Sequence, residues 1–74
     1  MITEIGIVAG EIWHYLDHHQ RQARLEEIIR SIDKSREVIL MSIGWLAREG
    51  HVILWGEGPD YLVKLRAGEN SLST

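Results

Sequence analysis

The chain has 74 residues, 45% of them hydrophobic and 26% charged, with a net charge of −3 and no cysteine. That length makes one small domain whose isolated core is only marginally stable, so a second subunit would help it appreciably. The absence of cysteine excludes disulfides and thiolate metal sites, no run approaches the roughly 20 apolar residues that span a bilayer, and the acidic balance is the wrong sign for a domain living on phosphates.

Ile5, Val8, Ala9, Ile12 and Leu16 recur at helical spacing, flanked by Trp13 and Tyr15, and predict a first helix from about Glu4 to His18. Thr3 is placed to cap it, and Glu4 suits the positive end of its dipole. Glu4 also stands where a secretory leader would carry basic residues, and Glu11 and His14 interrupt the apolar run, so the expectation is a soluble cytoplasmic chain. Gly6 and Gly10, four apart beside Ile7, cost the helix around 0.5–1 kcal/mol each relative to alanine, so something is expected to approach closely there. Two sources are open: a partner chain, or another element of the same domain.

"HHQRQAR", His18 to Arg24, is polar and reads as a connection, with room for a short strand around Gln22. A second helix follows, with Leu25, Ile28, Ile29 and Ile32 on its core face and Glu26, Glu27 and Arg30 opposite. Asp33 to Ser35 is a short turn, and Ser35 can cap a third helix that Gly50 ends. Two helices joined so tightly form a helix-turn-helix. "HVILW", "GEGPD" and "YLVKL" then read as a β-hairpin, the outer pieces rich in β-branched and aromatic residues and the loop holding the only proline. The fold class expected is α+β: three helices followed by a hairpin wing, over residues 1–65, with a flexible tail at 66–74.

The strings "EIGIVAGEIWHYL" in helix one and "IGWLAREG" at the end of helix three, followed by the hairpin, resemble a small winged helix-turn-helix family of unknown function found in bacteria and archaea. The resemblance covers about residues 3–65; the corner "RLEEIIRSIDKS" departs from it by lacking the alanine and glycine often seen there. It implies the winged-helix fold and membership of a superfamily dominated by DNA-binding regulators, and it implies no reaction.

On the third helix, Ile39, Ile43 and Leu46 fall together as a core stripe, with Leu40 and Ala47 at its edge. Val38, Met41 and Trp45 form a second stripe on the far side. A base-reading helix offers Arg, Lys, Asn, Gln, Ser or Thr, whereas this one offers Val, Met and Trp, and the wing tip carries Glu57 and Asp60. Two uses of this stripe are open: Met41 and Trp45 are buried beneath helix one or the hairpin of the same domain, or, since Met and Trp are enriched at protein contacts, Val38, Met41 and Trp45, with Gly6, Ile7 and Gly10, are the interface of a homodimer, which is the reading expected here. The other reading is a DNA-binding transcriptional regulator using Lys34, Arg36, Arg48 and Lys64, which the charge balance disfavours.

Glu11, His14 and His18 share one helix face and could hold part of a zinc site, but a solvated face is the ordinary use of such a row, and no metal or other cofactor is expected. No nucleophile motif, P-loop or dinucleotide-binding glycine pattern is present, so neither an enzyme nor a small-molecule substrate is expected.

Overall fold

A computed structural model describes residues 2–66 of the chain. Three helices, α1 (Ile2–Asp17), α2 (Leu25–Ser31) and α3 (Arg36–Arg48), and three strands, β1 (Gln22–Arg24), β2 (Val52–Trp55) and β3 (Leu62–Leu65), follow one another in the order α1, β1, α2, α3, β2, β3. The short strand around Gln22 is present as β1. The expected tail at 66–74 lies, apart from Arg66, outside the described residues.

α1 begins at Ile2 rather than Glu4, so Thr3 sits inside the helix instead of capping it. Its last turn feeds a tight bend in which Gln20 and Arg21 both adopt left-handed backbone angles, φ 63° and 67°. Neither is a glycine, and the conformation costs such residues roughly 1–2 kcal/mol each. The bend is held by the Arg21 N–H, which donates to the Leu16 carbonyl at 2.8 Å.

α2 has only seven residues and is anchored from both sides of the sequence. Glu27 reaches back to accept from the Arg24 N–H at 2.9 Å. Asp60, from the wing loop, accepts from the Glu26 N–H at 2.9 Å and satisfies another donor of the first turn. α3 starts as the sequence predicts, with the Ser35 hydroxyl accepting from the Val38 N–H at 3.2 Å. It ends at Gly50, whose φ of +83° is the left-handed conformation that glycine adopts without a Cβ penalty.

β3 is the central strand of an antiparallel sheet in the order β1, β3, β2. Its register pairs Val63 with Ala23 and Leu54, and Leu62 with Arg24 and Trp55. The core joins this sheet to the helices: Val8, Ile12 and Leu16 of α1, Leu25 and Ile28 of α2, Ile39, Ile43 and Leu46 of α3, and Ala23, Val52, Val63 and Leu65 of the strands are all buried. α1 lies along α3, and the Ser42 hydroxyl between them donates to the Val38 carbonyl at 2.7 Å, with the Ile5 carbonyl at 3.4 Å.

Candidate interaction surface

Ser42 is fully buried and stands at the centre of the face that α3 turns inward. That face keeps the expected Ile39, Ile43 and Leu46, takes in Val38 and Ser42 on one side and gives up Leu40 on the other. Val38, expected on the exposed stripe, is a core residue at 8% exposure, while Leu40, expected at the core's edge, is 40% exposed. The cause is α1: it crosses α3 over Ser42, so the residues beside Ser42 on that side are covered by α1, and Leu40 is left facing water.

The rest of the stripe is where it was expected. Met41 is 43% and Trp45 44% exposed, with Gly44 open between them and Glu37, Arg48 and Glu49 around them. The Trp45 ring leans toward His51, with centroids 6.2 Å apart. On α1, Ile7 is 58% exposed, and Gly6 and Gly10 are exposed with it. A Cβ built on Gly6, Gly10 or Gly44 would meet no atom within 4 Å. The second source suggested for the glycines, another element of the same domain needing the room, is thereby excluded among the described residues. Both exposed sets belong to the layer that α1 and α3 form together.

The four cations of the DNA reading are spread over the turn before α3, the two ends of α3 and the sheet. Lys34 lies 3.9 Å from Glu11. Arg36 pairs with Glu26 at 3.1 Å, and the hydrogen bond and charge of that carboxylate hold its guanidinium still further toward the charged form. Arg48 is exposed at the other end of α3, about 18 Å along the helix axis from Arg36. Lys64 is on the sheet, its ammonium 5.0 Å from the Trp55 ring centroid. Asp60, read from the sequence as an acidic wing tip, is committed to the first turn of α2 instead. Its partner is 34 positions away, which no local pattern announces.

Glu11, His14 and His18 line an open depression with Tyr15, Ser31 and Lys34. The His18 ring donates through Nδ1 to the His14 carbonyl at 2.8 Å, and His19 does the same to Tyr15 at 2.6 Å. Among the described residues no three histidine or carboxylate side chains converge as a metal would require. No described helix is long and apolar enough to cross a membrane. Ile53 and Trp55, expected only as part of the wing, are exposed on β2, and nothing in the uniformly apolar "VILW" distinguishes them from Val52, which is buried.

A helix-turn-helix completed by an antiparallel wing defines a winged-helix domain, here with an apolar rather than basic outer side to its third helix. Residues 1–65 match the family described as Winged helix-turn-helix domain (DUF2582), and the chain belongs to that family. It is also 31% identical over 67 residues to the uncharacterized protein MJ1608 of Methanocaldococcus jannaschii, across 89% of this chain and 96% of that protein. No solved structure matches the chain.

Proposed function

We propose that this chain is a non-catalytic protein-interaction module that pairs with a second copy of itself through Met41 and Trp45 of α3 and Ile7, Gly6 and Gly10 of α1, in a reducing cytoplasm. The observation that carries this reading is that Met41 and Trp45 of α3 and Ile7 of α1 are each more than two-fifths exposed, large apolar side chains that would gain by being covered. Open glycines at positions 6, 10 and 44 let a second backbone come close. Glu37, Arg48 and Glu49 form a polar rim in which opposite charges can meet across a two-fold axis. The rival reading, a DNA-binding regulator, draws on the helix-turn-helix that the family's description names, but α3 offers no Arg, Asn or Gln between Glu37 and Ala47 for a base edge.

Light scattering on the parent chain at high micromolar concentration should give the mass of a dimer. Met41→Glu places a carboxylate in the centre of the contact, where desolvating it beside its own copy is costly, and should give a monomer with helical circular dichroism. A parent that stays monomeric, or a Met41→Glu variant that still pairs, would sink the homodimer.

A further inference from the structure

The sheet has two faces and the helices cover only one. Ala23, Val52, Val63 and Leu65 point into the core, so the alternate residues form the open face. The strand register arranges them in two rows: Gln22, Lys64 and Ile53, then Arg24, Leu62 and Trp55. Arg66 continues the alternation past β3, its N–H bonded to the His51 carbonyl at 3.0 Å. Arg21 stands at the margin in its left-handed bend, with its guanidinium 3.3 Å from the Arg66 carbonyl and 3.3 Å from Asp17. Half of the chain's eight lysines and arginines therefore border one face, and neither row holds a carboxylate. On a molecule of net charge −3 this is a strong local segregation.

The aromatic on this face is open. Trp55 is 53% exposed, with Lys64 over one side of its ring. A groove of about 400 Å³ runs beside it, lined by Gln20, Arg21, Gln22, Ile53 and Lys64. Cations in rows suit a chain of phosphates, an exposed indole suits a planar base, and the two glutamine amides each carry a donor and an acceptor for a base edge. Among the described residues no helix or ribbon rises from this face to enter a groove. Bases stacked inside a duplex would stay out of reach of Trp55, whereas those of a single strand can splay onto it.

We propose that the open face of the sheet binds single-stranded nucleic acid, one base stacking on Trp55 and the backbone phosphates lying along Arg24, Lys64 and Arg66. This surface is separate from Met41 and Trp45, so it stands or falls independently of self-association.

The test is a fluorescence anisotropy titration of a labelled oligothymidylate of about 12 nucleotides, a length within the site size of comparable stacking platforms. Between about 50 and 200 mM salt the affinity should fall about 20-fold, the slope for three phosphates on a single strand. Trp55→Ala should weaken binding about 10- to 100-fold, Trp55→Phe should restore much of it, and Arg24→Glu with Lys64→Glu should abolish it. Leu40→Ala, exposed on α3 and assigned to neither surface, should leave binding unchanged and so controls for general damage. Four results would overturn the proposal: no binding at the lower salt, binding indifferent to Trp55→Ala, tighter binding of the same sequence as a duplex, or displacement by polyglutamate as effective as by unlabelled oligonucleotide. The last would make the face a general anion surface.

Discussion

Leu46 shows how much of so small a fold hangs on one side chain. It is 3% exposed in the core between α3 and its neighbours. Truncating a buried leucine to alanine removes its transfer energy and leaves a cavity, about 2–5 kcal/mol in all, against a total stability on the order of 4–11 kcal/mol at this length. Leu46→Ala should lower the urea midpoint drastically or leave the chain unfolded at room temperature by circular dichroism. Asp60 makes the opposite point, since an exposed-looking acid in a loop holds a helix in place. Asp60→Ala should cost about 0.5–2 kcal/mol, the usual worth of a side-chain cap, and should speed amide exchange in the first turn of α2 before anything else changes.

Among the elements, those set by local chemistry were readable and those set by a neighbour were not. Ser35 and Gly50 delimit α3 because a hydroxyl before a helix and a glycine after it act within a turn of their own position. The rotation of α3 depends on where α1 crosses it, so Val38 and Leu40 exchanged their expected environments although the helix itself was placed correctly. Met41 and Trp45 keep their expected exposure, at 43% and 44%. The bend between α1 and β1 was illegible for another reason: its left-handed pair is Gln20 and Arg21, without the glycine or asparagine that normally signals such a turn. Gln20→Gly should relieve that backbone and raise stability by up to about 1 kcal/mol in a denaturant titration; a loss would show that the Gln20 side chain contributes more than its backbone costs.

Over the whole molecule, the helices mix both signs and the open sheet face does not. Glu4, Glu11, Asp17, Glu26, Glu27 and Glu37 share the helices with Arg30, Arg36 and Arg48, while the open rows of the sheet carry cations and no acids. A formal charge of −3 averages two unlike surfaces and hid the second of them. His14, His18 and His19 lie in or just after α1, and the rings of His18 and His19 donate to backbone carbonyls one turn back. His14→Ala combined with His18→Ala should barely move the melting temperature, with or without added zinc. A zinc-dependent rise of many degrees in the parent, lost in the double variant, would reveal a metal site closed by another chain.

The strand order has a consequence for how the protein comes into being. β3 sits between β1 and β2 and is the last of the three to be synthesised, so neither earlier strand has a neighbour to bond with until Leu62–Leu65 has been made. A nascent chain can wind its helices as they emerge, but it carries Ala23 and the apolar run Val52–Trp55 uncovered until that final segment arrives. The sheet then closes in a single event that joins residues some forty positions apart, Gln22 to Lys64 among them. A messenger cut short in the wing loop would therefore yield a polypeptide with no sheet at all rather than a slightly smaller one, and such a fragment is a natural substrate for cellular quality control.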